Sequence, residues 1–351
     1  MEVVGGVPFC IQTLVQAGLV EVPSQYIQPP ESQPGSCRES SDSSIPIVDL
    51  LHIKTKHFGN VHEELSRACG EWGAFQVINH GVPKQLLDCM RSAGLSFFKE
   101  FPEDERDKYR CDLNSAASEG YGSKMLMKED SVLDWRVYFD HHTLPLSRCN
   151  PMRWPDSHPH YRETVMEYSD HMKTLALKLL TLISESLGLP SSCIEEAVGE
   201  IFQNITVSFY PSCPQPELTL GLQAHSDMGA ITLLIQDEVA GLQVLKDGQW
   251  LTVQPLSDAI VVLLGDQTEI LSNGRYRSAV HKAITNAKND RLSVATFHDP
   301  AKTTKTFPVA ELINESSPPR YREVVYGDYV SSWYTKGPDG KRNIDGLLIH
   351  H

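Results

Sequence analysis

The sequence predicts a mixed α+β protein in which helices brace an antiparallel β core. Two observations carry that reading. Residues 161–187 hold one long stripe at helical spacing, made by Val165, Tyr168, Met172, Leu175, Ala176, Leu179 and Ile183, and Gly188 and Pro190 end it. After residue 200 the texture changes to short apolar, β-branched runs separated by the turn signals PSCPQP, KDG, NG and NAKND. Helices first and many short strands later describe a β core covered by helices.

Taken in chain order, Ile11, Leu14, Val15 and Leu19 suggest a short amphipathic helix, and residues 22–44, rich in Pro, Ser, Gln and Glu, read as a surface linker. IPIVDL (45–50) is a first strand, Val61, Leu65 and Ala68 mark a helix, and AFQVINH (74–80) is a second strand ending at Gly81. LLDCMRSAGLSFFKEF (86–101) is helical, and residues 110–160 read as irregular. NITVSFY, TLGLQAH, AITLLIQ, LQVLKDGQWLTV, AIVVLLGDQTEIL, SAVHKAITN and LSVATFHDP then follow as strands, with KDG before QW a hairpin signal.

The 351 residues are 40% apolar and 22% charged, with a net charge of −14, as in an ordinary water-exposed globule. That charge and the lack of a dense Lys/Arg patch argue against a nucleic-acid partner. The N-terminus lacks the basic start of a secretory signal, and no window approaches the ~20 apolar residues of a membrane span. The eight cysteines form no CxxC, which fits reduced thiols in a cytoplasmic protein. The same spacing disfavours a closed structural zinc site. No obligate protein partner is evident.

The chemistry-bearing stretch is GLQAHSDMGAITLLIQ (221–236). Residues i and i+2 of a strand share a face, so His225 and Asp227 are expected to point together, against an apolar wall of Ile231, Leu233, Leu234, Val261 and Leu263. A buried carboxylate requires a partner or a metal. His281, with 53 residues between it and Asp227, is the candidate third ligand. Two imidazoles and one carboxylate on one side of an ion make the facial arrangement of a non-haem Fe(II) site. Arg291 and Ser293, in NDRLSV, supply a fork and a hydroxyl suited to a carboxylate, and the phenol of Tyr210 suits the same group.

At these residues the chain resembles a family. IPIVDL, ACGEWGAFQVINHGV, FYPSCPQPELTLGLQAHSDMGAITLLIQDEVAGLQVLKDGQWLTV, LLGDQTEILSNGRYRSAVHKAITN and RLSVATFHDP are similar to the plant 2-oxoglutarate- and Fe(II)-dependent dioxygenases, over nearly all of 45–335. The resemblance implies a double-stranded β-helix, or jelly-roll, core with an N-terminal helical and mixed region packed against it. The expected division is 1–44 helix and linker, 45–200 N-terminal region, 201–310 jelly-roll core and 311–351 C-terminal helical segment and tail. It implies His225, Asp227 and His281 as iron ligands and catalytic centre, and Arg291, Ser293 and Tyr210 as the 2-oxoglutarate site. Fe(II), 2-oxoglutarate, O2 and ascorbate as reductant are the implied cofactors. The implied reaction decarboxylates 2-oxoglutarate to succinate and CO2 and hydroxylates, desaturates or demethylates a substrate. Two departures stand out: Ser208 where many members have Asn, and Val280 where many have Glu. By strand alternation Val280 faces away from the metal.

The same resemblance points to Tyr121, Phe139, Leu222 and Phe297 as substrate contacts, and to a small phenolic, hormone-like or other specialised metabolite. It also places a helix formed by VVYGDYVSSWYTKG over the pocket mouth. Two alternatives stay open: an iron enzyme of this fold that does not use 2-oxoglutarate, and a non-catalytic small-molecule sensor.

Overall fold

The computed structural model describes residues 10–34, 44–51, 58–111, 119–123, 132–156, 159–336 and 342–349. The expected linker is therefore described only in part, as are the two chain ends. An eight-stranded sheet is built from β1 (Ile47–Asp49), β2 (Ala74–Ile78), β3 (Gly120–Gly122), β4 (Val137–Leu144), β5 (Phe202–Tyr210), β7 (Ile231–Gln236), β10 (Ile260–Leu264) and β12 (Arg291–Asp299). A four-stranded sheet holds β6 (Leu220–His225), β8 (Leu242–Lys246), β9 (Gln249–Thr252) and β11 (His281–Ile284). The orders are β1-β2-β10-β7-β12-β5-β4-β3 and β6-β11-β8-β9, with only the β1–β2 pair parallel. The two sheets face each other as the jelly-roll predicted from the resemblance.

Helices cover the outer face of the larger sheet. They are α1 (Ile11–Gln16), α2 (Phe58–Glu71), α3 (Lys84–Lys99), α4 (Glu103–Asp107) and the long α5 (Tyr161–Ser186), followed by α6 (Cys193–Val198). All seven stripe residues of α5 are buried, so its apolar face is the one that packs. Strand alternation divides the sheet in two. Ile205, Val207 and Phe209 of β5 and Leu292 and Val294 of β12 join the helix-facing core. Thr206, Ser208, Tyr210, Ser293, Ala295 and Phe297 point the other way, into a cavity between the sheets. Leu234, Val261, Leu263, Leu242, Val244 and Val253 form a smaller apolar cluster between the sheets. Of the expected wall, Ile231 and Leu233 pack among the helices instead, because they are odd-numbered on β7 and Leu234 is even.

The KDG hairpin signal is realised between β8 and β9. Asp247 and Gly248 have φ of 49° and 78°, the pair of positive values that a tight two-residue turn matching strand twist requires.

Two expectations are corrected. Residues 110–160 are not wholly irregular: β3 and the eight-residue β4 lie there. The polar run Asp140-His141-His142-Thr143 disguised β4. These residues are tolerated in a sheet interior because they are bonded; His141 Nδ1 donates to the Ile205 carbonyl at 2.9 Å and its Nε2 pairs with Tyr161 Oη at 3.0 Å. In AIVVLLGDQTEIL the strand stops at Leu264, and Asp266–Leu271 is a helix, α7. Gly265 caps it, and acidic Asp266 and Glu269 suit its first turn. The C-terminal region adds a two-stranded ribbon, β13 (Lys305–Thr306) and β14 (Val324–Val325), then α8 (Tyr326–Lys336) and α9 (Arg342–Asp345). No helix among the described residues is long and apolar enough to cross a membrane.

Candidate active site

His225 ends β6 and His281 begins β11, and the two are direct cross-strand partners with ring centroids 4.3 Å apart. Each Nδ1–H donates to a backbone carbonyl two residues back, His225 to Gln223 at 2.8 Å and His281 to Ala279 at 3.0 Å. A carbonyl can only accept, so the proton sits on Nδ1 and each Nε2 turns a lone pair inward. Those Nε2 atoms lie 3.6 and 3.7 Å from Asp227 Oδ1. Burial first, and then the neighbouring His281, push His225 down to about 4, with Asp227 opposing. A neutral imidazole forms no ion pair, so these spacings are those of three donors aimed at a shared point.

Asp227 does not share the strand with His225, as expected from spacing; it lies just beyond the strand's end, in the loop to β7. Its position comes from α7. Asp266 N donates to Asp227 O at 2.8 Å, Gln267 N to Gly229 O at 3.0 Å and Gln267 Nε2 to Met228 O at 3.0 Å. Thr268 Oγ1 and Gly265 N both bond the Ala230 carbonyl. This clamp is not displayed by the sequence, where the α7 residues continue an apolar strand pattern.

The donor set fits a metal. The ligating atoms of His225, Asp227 and His281 all lie within 4.8 Å of one another and all three residues are buried. Asp227 Oδ2 is buried without a hydrogen-bond partner, a state that costs free energy unless a cation answers it.

A second group of residues converges on the same cavity. Arg291 heads β12 opposite Tyr210, the last residue of β5, and its guanidinium lies 5.0 Å from the Tyr210 ring centre. Arg291 Nη2 donates to Gln236 Oε1 at 2.9 Å and Nε to Val239 O at 3.2 Å, while the buried Nη1 has no partner. Burial pushes the Tyr210 phenol up, but Arg291 and Arg136, with the hydroxyls of Ser293 and Ser208, outweigh it and hold it below the ordinary value. The arrangement is a cationic, donor-rich recess that fits a carboxylate. Two glycines make it possible. A Cβ at Gly241 would sit 2.6 Å from Arg291 Cδ, and one at Gly221 2.6 Å from Tyr210 Cδ1. At Ser208 the hydroxyl accepts from Arg136 Nη1 at 3.1 Å, so the shorter side chain keeps a polar neighbour.

The cavity has a volume of about 460 Å3. Leu222 and Phe297 line it as expected. Tyr121 and Phe139 do not; both are in the helix-facing core. Phe139 is odd-numbered on β4 and packs edge-on against Phe97 at 5.1 Å, whereas Tyr138 and Asp140 face the cavity. The Tyr121 hydroxyl lies 3.1 Å from Cys10 Sγ. The remaining lining was not foreseen. It includes Arg136 and Asp140 from the β4 region, Asn204 and Thr206 of β5 and Asp299 of β12, while Trp333 and Tyr334 come from α8, the helix expected over the pocket mouth.

A jelly-roll that gathers two imidazoles and one carboxylate on one side of a cavity, beside a buried arginine, defines the class of mononuclear non-haem Fe(II) oxygenases. Comparison with known proteins gives the family. The sequence profile of the 2OG-Fe(II) oxygenase superfamily matches residues 201–300, and that of the non-haem dioxygenase in morphine synthesis N-terminal region matches 45–160. Jasmonate-induced oxygenase 4 of Arabidopsis thaliana is 39% identical over 97% of this chain and 96% of its own length. Flavanone 3-dioxygenase 2 of Oryza sativa subsp. japonica is 37% identical, over 91% of this chain and 92% of its own. The crystal structure of JOX2 in complex with 2OG, Fe and JA superposes with a TM-score of 0.89 at 35% identity, covering 98% of this chain and 99% of that one. The chain belongs to the plant 2-oxoglutarate- and Fe(II)-dependent dioxygenases. It is accordingly an enzyme that uses Fe(II) and 2-oxoglutarate, with ascorbate the reductant typical of the family.

Proposed function

We propose that the cavity between the two sheets oxygenates a small, ring-bearing plant metabolite, with His225, Asp227 and His281 holding Fe(II) and Arg291, Ser293 and Tyr210 holding 2-oxoglutarate. The observation that carries this reading is the pair of buried orphans facing one cavity: Asp227 Oδ2 on the metal side and Arg291 Nη1 on the carboxylate side. When bound, Fe(II) would activate O2, the oxidant, with 2-oxoglutarate oxidised to succinate and CO2 as its co-reductant. The chain's own residues do the rest. The backbone carbonyls of Gln223 and Ala279 fix the imidazole tautomers, so Nε2 is free to ligate without losing a proton. Arg291 grips the distal carboxylate of the cosubstrate, and Ser293 and Tyr210 each offer a hydroxyl beside it. Leu234, Leu242 and Leu263 keep the cavity wall dry on the side of the smaller cluster.

The pocket volume lies within the ~300–1,000 Å3 that encloses a drug-sized molecule. Phe297, Tyr138, Trp333, Leu222 and Met228 give it aromatic and apolar contact area, which supports a small phenolic or hormone-like substrate. Hydroxylation is the simplest outcome; desaturation or demethylation would need a further constraint on the substrate. The test is anaerobic reconstitution with Fe(II) and 2-oxoglutarate, then exposure to O2 with a plant-metabolite panel. A compound that raises succinate release and is itself oxidised in a 1:1 ratio supports the reading. Oxidation of a compound without succinate release would replace it with a mechanism that does not use 2-oxoglutarate.

A further inference from the structure

The C-terminal segment reaches the metal site through α7. Tyr329 Oη donates to Asp266 Oδ2 at 2.5 Å, and Tyr321 Oη donates to Glu269 Oε1 at 2.7 Å. All four residues are buried, and both carboxylates belong to α7. Burial first, and then the facing carboxylate, push the two phenols up, so each hydroxyl keeps its proton and donates. A hydroxyl bonded to an enclosed carboxylate makes a charge-assisted bond, the stronger kind.

The same two α7 residues hold the ligand-bearing chain on their other side. The backbone N–H of Asp266 donates to the Asp227 carbonyl at 2.8 Å. Glu269 Oε2 accepts from Ser278 N at 2.6 Å and from Ser278 Oγ at 3.1 Å. Ser278 directly precedes Ala279, whose carbonyl fixes the His281 ring. Packing follows the bonds. Ile270, Tyr321, Tyr329, Ile344 and Leu347 form one buried apolar cluster, and Met228, next to Asp227, packs against it. Asn273, just past α7, accepts from Arg320 N at 2.8 Å and donates to Pro318 O at 3.0 Å, which pins the approach to Tyr321.

We propose that Tyr329 and Tyr321 are positioning residues for the metal centre: through Asp266 and Glu269 they hold the Asp227 loop and the approach to His281 in the geometry that binds Fe(II). The inference rests on the proposed ligand set and adds two residues that touch neither the ion nor the cosubstrate. A buried carboxylate that loses its phenol must shift or find another partner, and α7 carries that movement to the chain it clamps. The substrate wall shares the fastening. Trp333 lines the cavity one helical turn after Tyr329, on the same face of α8. The helix that walls the cavity is therefore tied to the residue that clamps the Asp227 loop.

The experiment measures the Fe(II) affinity of the full chain by anaerobic competition with a coloured chelator, beside thermal melts of the metal-free protein. Tyr329→Phe and Tyr321→Phe should each weaken Fe(II) binding at least about fivefold, approaching the ~10- to 100-fold loss typical of a residue that bonds a ligand directly. Asp266→Ala should show a similar loss, and adding Tyr329→Phe to it should cost less than about twofold more, since the bond is already gone. Unchanged affinity in a folded Phe variant, whatever its melting temperature, overturns the proposal. So do losses that multiply in the double variant. If Tyr329→Phe does not fold, Tyr321→Phe decides alone. A parent chain that binds no Fe(II) sinks the ligand set and this inference with it; a parent that binds while the Phe variants match it sinks this inference alone.

Discussion

His225 and His281 meet as cross-strand partners on β6 and β11, each with its Nδ1 proton given to a carbonyl of its own chain. The pairing fixes both Nε2 atoms before any ion arrives, so metal should stabilise the fold rather than create it. Anaerobic thermal melts should rise with Fe(II), by the equivalent of ~2.7 kcal/mol at a hundredfold excess over the dissociation constant. His281→Ala should fold yet show no Fe(II)-dependent rise. An undiminished rise in the variant would remove His281 from the ligand set.

Arg291 should behave as a fork rather than as a charge. Arg291→Lys keeps the cation but loses the paired bonds to Gln236 and a carboxylate. The KM for 2-oxoglutarate should rise at least about tenfold. Gly241→Ala should produce a similar defect without touching the cosubstrate, because its Cβ would lie 2.6 Å from Arg291 Cδ. An unchanged KM in both variants would show that the cosubstrate is held elsewhere.

The α7 clamp on the Asp227 loop predicts an effect of a residue that ligates nothing. Gln267→Ala removes the bond to the Met228 carbonyl. Loss of such support typically weakens metal affinity about 10- to 100-fold. Competition between the enzyme and a coloured Fe(II) chelator reads this directly. A melting temperature that falls while Fe(II) affinity holds would make Gln267 a structural residue only.

His141 predicts a pH dependence of stability. Burial lowers it to about 4, against an unfolded value near 6.5. Between those values the unfolded chain binds the proton and the folded chain does not. The neutral-His contribution is therefore complete above about 6.5 and lost as the pH falls toward about 4, at up to ~1.4 kcal/mol per pH unit. Urea unfolding of His141→Gln from pH 4 to 7 should show a pH slope shallower by about one proton. An identical slope would mean that His141 is charged in the folded state.

Phe139 should be silent in catalysis. It packs among Phe97, Tyr109 and His141 on the helix side. Phe139→Leu should cost up to about 1.5 kcal/mol of stability and leave the KM for 2-oxoglutarate unchanged. A shifted KM with unchanged stability would return it to the cavity.

The sequence was most legible where local pattern and tertiary role agree. The α5 stripe, the KDG hairpin and the His225, Asp227, His281, Arg291 set are periodic or chemically distinctive, and the structure brings the four site residues to one cavity, although Asp227 reaches it from the loop after β6 rather than from the strand. What escaped depends on partners that the pattern does not display. β4 hid because its polar residues find partners elsewhere in the chain: His141 on Ile205 and Tyr161, Asp140 on Thr206 and Thr143 on Gln203. The α7 helix hid behind its apolar neighbour β10, and with it the means of holding Asp227. Tyr121 and Phe139 were placed in the pocket because an aromatic residue near a site carries no sign of which sheet face it takes. Asp140 and Asp299 line the cavity without a sign in the sequence, since a carboxylate beside polar neighbours reads as surface.

The central claim is tested most directly by carbon release from 2-oxoglutarate labelled at C1. The parent chain, loaded with Fe(II) and given O2, should release labelled CO2 with an equal amount of succinate. Asp227→Ala should lose more than about 100-fold of that release, beyond the range of a merely supporting residue. Comparable release by parent and Asp227→Ala would contradict the account.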